Sequence, residues 1–171
     1  MKSGHKELLE LLGTSGAELF ALLTRLTLRE DVAEELMQDL FIKLSHSRGL
    51  DKAANRMAYA RRAAINLAFD WRRSRRRAAL RLEHVRRQAS NDESPLTHMI
   101  HSEELRETLD ALGQLKKASR EALVMRYIQQ ESYEHIAEQM GKTSHQIRAI
   151  CSRAVHHLRR IVGPNHRHTT L

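Results

Sequence analysis

The chain has 171 residues, a formal net charge of +8, a sequence pI near 10.1 and only 4% aromatic residues. Seven glycines and two prolines are few for a turn-rich β protein, and the strong helix formers that dominate the composition predict an all-α fold with modest cores. A single cysteine excludes an internal disulfide and a multi-cysteine zinc site, and no apolar run is long enough to span a membrane. Because the N-terminus also lacks the apolar segment of a signal peptide, we expect a cytoplasmic protein.

The first predicted elements are two helices. An apolar-rich stretch from Ala17 to Leu28 predicts the first helix, and a break at residues 29–31 separates it from a second helix over Val32 to Ser45. Apolar residues of the second helix recur at three- and four-residue steps, so one of its sides should be buried. The other side has hydrogen-bonding side chains at Glu34, Glu35, Gln38 and Asp39.

A polar stretch from Ser45 to Arg56, which contains Gly49, is interpreted as a loop, and a third helix is predicted from Met57 to beyond Trp71. At about 100° per residue, this helix has an apolar face and an opposite face that is polar and basic, with planar side chains. The predicted apolar face consists of Met57, Ala60, Ala64, Leu67 and Trp71. The opposite face consists of Tyr59, Arg62, Asn66, Asp70 and Arg73.

Positive charge is concentrated in and after this helix. Residues 61–87 contain ten arginines against two acidic residues, which accounts for the net charge of the whole chain. A concentrated basic segment is typical of polyanion binding, and the alternative is a solvated basic helix face. In the run from residue 72 to residue 77, the arginines are expected to contact phosphates without regard to sequence.

The second half of the chain is predicted to be a separate helical domain. Residues from about 78 to 97 have the composition of a tether, and amphipathic helices follow at 101–112, 119–129 and 132–140. Gly141 suits a turn with positive φ, and a last helix runs from Ser144 to about Val162 before Gly163 and Pro164 end it. The predicted organisation is a domain at 1–77, a linker at 78–100 and a domain at 101–171.

Residues 132–147 have the layout of a helix-turn-helix, for which an ordinary αα-hairpin is the alternative. Gln146 is open between base contact and a capping box with Thr143. The core positions expected in the two helices are Ile136, Ala137, Met140, Ile147, Ile150, Cys151, Ala154 and Leu158. The exposed face of the second helix has side chains compatible with a DNA groove: Ser144, His145, Arg148, Ala149, Ser152 and Arg153.

The sequence gives no sign of a catalytic or metal site. It shows no nucleophile–base pair and no phosphate-binding loop, so we do not expect an enzyme or a cofactor. His156, His157, His166 and His168 have no accompanying cysteine or carboxylate, which favours a solvated tail over a metal cluster.

Three of these stretches together resemble the extracytoplasmic-function (ECF) group of the sigma-70 superfamily. Residues 31–44 are similar to the acidic region 2.2 helix, which grips the clamp helices of the largest RNA polymerase subunit. Residues 59–73 resemble the segment that melts and reads the minus-ten element, and the helix-turn-helix resembles region 4.2, which reads the minus-thirty-five element as duplex. The resemblance covers about 17–77 and 109–162, and it implies two helical domains, region 2 and region 4, joined by a flexible linker.

The resemblance also implies partners and residue roles. Bacterial core RNA polymerase and promoter DNA are the expected partners, members are commonly inhibited by an anti-sigma factor, and no membrane insertion is expected. It assigns Glu34, Glu35, Gln38 and Asp39 to polymerase binding. It assigns Tyr59, Arg62, Asn66, Asp70, Arg73, Arg75 and Arg76 to single-stranded minus-ten DNA, with Asn66 helping to hold a flipped-out base. It assigns Ser144, His145, Gln146, Arg148, Ala149, Ser152 and Arg153 to duplex minus-thirty-five DNA.

The chain departs from the family pattern at Lys142, at Ile150 and in the loop 45–56, which is shorter than the commonest family version and corresponds to its base pocket. Two other functions remain as alternatives. One is a self-sufficient helix-turn-helix regulator that binds paired half-sites without polymerase. The other is a nonspecific RNA-binding protein that uses the arginine cluster.

Overall fold

A computed structural model describes residues 2–87 and 100–163, and these residues form helices and no strand, which confirms the predicted all-α fold. Part of the predicted tether (88–99), the helix-stopping Pro164, and His166 and His168 lie outside the described residues. None of the described helices combines the length and the apolar character that a membrane crossing requires. The helices are α1 (Lys2–Thr27), α2 (Glu30–Ser45), α3 (Arg48–Lys52), α4 (Arg56–Arg87), α5 (Ile100–Gly113), α6 (Lys117–Leu123), α7 (Tyr133–Met140) and α8 (Ser144–Val162), and α6 continues into a π-helical turn at Val124–Ile128.

Helices α1, α2 and α4 pack on one another to form the amino-terminal half. Helix α1 begins well before the predicted Ala17, because Leu8 is buried and Leu11 and Leu12 pack against the core at helical spacing. The predicted buried side of α2 is confirmed by Val32, Ala33, Leu36, Leu40 and Leu44.

The predicted loop at 45–56 contains a short helix, α3, so this prediction was wrong in part. The Ser47 side chain accepts a hydrogen bond from the Leu50 amide and caps the helix, and Leu50 is buried. Gly49 lets the Tyr59 ring lie close to α3, since a Cβ at this position would lie 2.7 Å from the Tyr59 hydroxyl oxygen and the ring would have to shift.

Helix α4 differs from its prediction in length and in orientation. It continues to Arg87, so the first residues of the predicted linker are helical. Ala60 and Ala64 are buried as predicted, but Met57, Leu67 and Trp71 are only half-buried. The buried side is rotated toward Arg61, Ile65, Ala68, Phe69 and Arg72.

The carboxyl-terminal half contains the predicted helix-turn-helix, α7 followed by α8. Gly141 has φ 62° and ψ 40°, which confirms the predicted left-handed turn. Ile136, Ala137, Ile147, Cys151 and Ala154 are buried as predicted, whereas Met140, Ile150 and Leu158 are half-buried. Burial raises the pKa of the Cys151 thiol, as expected for a core residue.

The two halves are in direct contact in the described structure. Helix α4 packs against both α5 and α6, and buried residues of the two halves belong to one continuous core. Phe69 of α4 is fully buried at this contact, and the Arg120 guanidinium of α6 lies 5.2 Å from its ring centroid. The polar face of α4 is therefore placed beside the carboxyl-terminal half.

Candidate nucleic-acid interface

The four predicted polymerase contacts share one exposed face of α2. Glu34, Glu35, Gln38 and Asp39 are all exposed, while the opposite side of the helix faces the core. Ile42, which is 56% exposed, extends this face by one turn and gives it an apolar element that the sequence analysis did not identify. This arrangement can present negative charge and one apolar side chain to a basic partner surface.

Tyr59 is held against α3. Its hydroxyl lies 2.8 Å from the Ser47 side-chain oxygen, and its ring packs against Gly49. The planar side chain is half-buried, so the short helix α3 fixes its position at one end of the polar face of α4.

Arg62 and Asn66, at the centre of this face, are occupied by the carboxyl-terminal half. The Arg62 Nε donates to Glu121 Oε2 at 2.9 Å, and the Asn66 Nδ2 donates to Glu121 Oε1 at 2.8 Å. The Asn66 Oδ1 accepts from Arg120 Nη2 at 2.7 Å, and its Nδ2 also donates to the Arg62 carbonyl. Glu121 is fully buried. Both the amide nitrogen and the amide oxygen of Asn66 are therefore hydrogen-bonded within the protein.

Arg61, the residue before Arg62 on α4, forms a second polar cluster. Its guanidinium donates to Glu18 of α1 and to Glu131 and Gln139 of the carboxyl-terminal half. Gln139 in turn donates to the other oxygen of Glu131. Arg61 is 8% exposed, and it therefore joins three parts of the chain.

Arg72 corrects one expectation from the basic run. It was expected to contact phosphates, but it is 5% exposed and donates to Asp110, to the Leu26 carbonyl and to the Arg106 carbonyl. Burial lowers the pKa of Arg72, while Asp110 acts in the opposite direction. Arg72 therefore fastens α1, α4 and α5 together in this structure.

The basic residues of α4 from Arg73 to Arg81 are exposed. Arg73 pairs with Asp70, Arg75 lies 5.4 Å from the Trp71 ring centroid, and Arg76 is also exposed. Arg75 and Arg76 lie past the covered centre of the face and can reach phosphates without rearrangement, whereas Arg73 would first release Asp70 and the Gly113 carbonyl.

The predicted duplex-reading face of α8 is open. His145, Gln146, Arg148, Ser152 and Arg153 are exposed, and Ser144 and Ala149 are half-buried. The structure brings all seven residues to the same helix, and small side chains stand between the long basic ones. That surface has donors and space for the edges of base pairs.

Gln146 takes part in the capping box that the sequence allowed. Its side-chain Oε1 accepts from the Thr143 backbone N–H at 3.0 Å, and the Gln146 backbone N–H donates to the Thr143 Oγ1 at 3.2 Å. This capping box fixes the start of α8, and the side-chain oxygen of Gln146 is already hydrogen-bonded within it.

Arg148 is held in place by two residues of α7. Its guanidinium lies 4.7 Å from the Tyr133 ring centroid, and its Nη2 donates to Glu134 Oε1 at 3.3 Å. Arg126 lies over the same ring at 4.5 Å. The pKa of Glu134 is lowered by its own backbone amide and by Arg148. Arg148 is thus both exposed and oriented.

The charged residues that join the halves were not predicted from the sequence: Arg61, Arg72, Arg120 and Glu121. Two of them, Arg61 and Glu121, stand within a helical stripe of apolar residues, such as Ala118, Val124 and Met125 around Glu121, and this is the signal that could have identified them. A charge in such a stripe indicates a buried partner elsewhere in the chain.

The described residues contain no group of three or more side chains suited to hold a metal ion. Within the part of the tail that is described, His156 and His157 are exposed.

Comparison with known proteins identifies one family model, Sigma-70, region 4, which matches residues 111–160. No curated protein matches the chain. Among solved structures, the chain is similar to the sigma factor RpoE in complex with the anti-sigma factor NepR from Bartonella quintana. The two chains share 26% sequence identity over 95% of this chain and 98% of that chain, with a TM-score of 0.49.

Proposed function

We propose that the chain is a sigma factor of the ECF group of the sigma-70 superfamily, which binds core RNA polymerase, recognises a promoter and opens it. The observation that carries this proposal is the region 4 match at 111–160, which coincides with an exposed recognition face on α8. The roles of individual residues on α2, α4 and α8 belong to the same proposal.

Polymerase binding is assigned to the exposed face of α2. Glu34, Glu35, Gln38 and Asp39 would meet a basic partner helix, which aids encounter and fixes orientation. Ile42 would add apolar contact at the end of the same face.

Promoter recognition is assigned to α8. Arg148 and Arg153 would contact guanine edges or phosphates in the major groove, and Ser144, His145, Ala149 and Ser152 would contribute shape and shorter contacts. The preset position of Arg148 favours base readout, because less side-chain freedom is lost on binding.

Promoter opening is assigned to α4. Arg62, Arg73, Arg75 and Arg76 would hold phosphates, Tyr59 would stack on an unpaired base, and Asn66 would bind a base edge exposed by flipping. Asp70, on the same face, pairs with Arg73 and would orient it. Preferential binding of single strands shifts the melting equilibrium without covalent chemistry, so this function needs neither an enzyme activity nor a cofactor.

We further propose an anti-sigma factor as a partner, as in the RpoE–NepR complex, and a cytoplasmic site of action. An inhibitor of this kind would compete with polymerase for the acidic face of α2.

The test is in vitro transcription with purified bacterial core polymerase, with and without the protein, on a library of genomic promoters. New, specific start sites are expected, and they would also reveal the promoter motif. Binding to short palindromic duplexes with no transcripts would instead support a self-sufficient helix-turn-helix regulator. Salt-sensitive binding to any RNA, with neither transcripts nor palindrome binding, would instead support a nonspecific RNA-binding protein that uses the arginine cluster.

A further inference from the structure

The last turns of α4 carry apolar side chains that lie in water. Leu82 is 66% exposed and Val85 is 61% exposed, and neither belongs to the hydrophobic core or to the side chains packed against it. A short helical segment is only marginally stable in water when no packing supports it. Because branched apolar side chains stand on such a segment, this end of α4 has the character of a protein contact surface.

The spacing of these side chains places them in one narrow stripe. Ala78, Leu82 and Val85 follow one another at four- and three-residue steps, so at about 100° per residue they lie within about 60° of one another. Trp71, seven residues before Ala78, continues the stripe toward the body of the protein. Leu80, which is 56% exposed, lies on the opposite side of the helix. A stripe with this repeat resembles the seam of a coiled coil and is narrower than the apolar face of a helix that lies in a membrane surface.

Positive charge borders the stripe on both sides. Arg75 lies at one edge and Arg81 at the other, and both are exposed. Residues 73–85 contain five arginines against one glutamate. A partner helix would therefore meet arginines along the edges of the seam, where the sign of the charge decides which partner pairs.

Three kinds of partner differ in how well they fit this surface. Two copies of the chain paired along the stripe would bring Arg75 and Arg81 of one copy close to those of the other, and like charges at these edges repel. A nucleic acid would satisfy the arginines and leave Leu82 and Val85 in water. A helix whose own apolar stripe is bordered by aspartate and glutamate would satisfy both the charges and the apolar side chains.

We propose that residues 78–85 of α4 form a docking site for an acidic, amphipathic helix of another protein. Leu82 and Val85 enter the apolar seam, and Arg81 pairs with a carboxylate at its edge. An acidic helix seated here would lie beside Arg75 and Arg76, so it would also compete with phosphates for the basic end of α4. The docking site depends on the exposed stripe and its charged edges, and it does not rest on the proposed function.

The test measures binding of a designed helical peptide to the full chain by fluorescence anisotropy. The fluorescein-labelled acidic probe has leucine at heptad positions a and d and glutamate at e and g, and the basic control probe has lysine at e and g. We expect the acidic probe to bind at least about tenfold more tightly than the basic probe, because like charges across a contact are strongly unfavourable. Its affinity should also fall as the salt concentration rises, since exposed ion pairs are screened.

Leu82→Gln and Leu80→Gln are a matched pair of variants, because both remove an exposed leucine from the same helix and only Leu82 lies in the stripe. Leu82→Gln should weaken binding of the acidic probe about tenfold, since one apolar side chain is lost from the seam, and Leu80→Gln should leave the affinity unchanged. Leu82→Ala introduces the strongest helix former, so it should act like Leu82→Gln if the lost contact is the cause. Recovery of wild-type affinity in Leu82→Ala would show that fraying of the helix is responsible and would overturn the docking site.

Equal affinity for the two probes, or equal affinities of Leu80→Gln and Leu82→Gln for the acidic probe, would also overturn the docking site. A dimer in light scattering that Leu82→Gln dissociates would assign the stripe to a second copy instead. Weaker binding to duplex DNA by Leu82→Gln than by Leu80→Gln would assign it to nucleic acid.

In vitro transcription with core polymerase tests the proposed function separately. Silence of the wild-type protein together with selective binding of the acidic probe would refute the sigma function and leave the docking site standing. Active transcription with no preference between the probes would refute the docking site alone.

Discussion

Helices α4 and α8 each present a polar face that suits DNA, and they differ in what already occupies that face. On α4, Arg62 and Asn66 are bonded to Glu121, and Arg61 is bonded to Glu131 and Gln139. On α8, Arg148 and Arg153 are exposed. Similar residue types therefore form a surface on α4 that is covered and hydrogen-bonded within the chain, and an open surface on α8. The proposed duplex-reading face of α8 is therefore open in this structure, whereas the centre of the proposed single-strand face of α4 is bonded within the chain.

The largest expected effect is on stability, from Arg61→Ala. This change leaves the largely buried Glu131 without its cation, and losing one partner of a buried pair costs about 3–5 kcal/mol. Arg76→Ala, at an exposed position of the same helix, should stay within about 0.5 kcal/mol. Urea unfolding of both variants checks the contrast. Similar midpoints for the two would show that the Arg61 network adds nothing to stability.

Asn66→Ala should impair promoter opening while duplex binding persists. An amide contact to a base edge contributes about 1–3 kcal/mol, so permanganate reactivity of the promoter complex should fall about tenfold or more. Upstream footprinting is the control, because α8 is untouched by the change. Full reactivity in the variant would mean that Asn66 serves the contact between the two halves and not the opened strand.

The sequence predicts features that depend on local spacing better than contacts between distant residues. The main helices, the left-handed Gly141 and the exposed face of α8 depend on local spacing, and the sequence predicted them. The capping box at Gln146 was one of two roles that the sequence left open. The cover on Asn66 depends on Arg120 and Glu121, more than fifty residues away along the chain, and periodicity carries no information on such pairings. The helix extension to Arg87 was missed because residues from about 78 were interpreted as a tether, and its apolar side chains Leu80, Leu82 and Val85 are exposed rather than packed into the core.

Arg148→Ala should lower the sequence selectivity of duplex binding. A bidentate arginine contact to guanine contributes about 1–3 kcal/mol of discrimination, so preference for the upstream element should drop about tenfold. Arg159→Ala, an exposed arginine near the end of α8, is the matched control and should weaken binding to all sequences equally. Selection from a randomised duplex library measures both variants. An unchanged motif for Arg148→Ala would remove α8 position 148 from base readout.

The smallest effect separates the position of Arg148 from its charge. Tyr133→Leu removes the ring beneath the guanidinium, and an exposed cation–π contact contributes about 0.5–1 kcal/mol, which corresponds to a loss of selectivity of about two- to fivefold. Tyr133→Phe retains the ring and should restore the wild-type motif, whereas a purely structural role of the hydroxyl would not be rescued. Motif selectivity is the informative readout, because a general loss of stability would lower the active fraction without altering base preference. Equal selectivity of the leucine and phenylalanine variants would show that Glu134 alone suffices to orient Arg148, so that the open face of α8 owes its order to an ion pair and not to the aromatic ring.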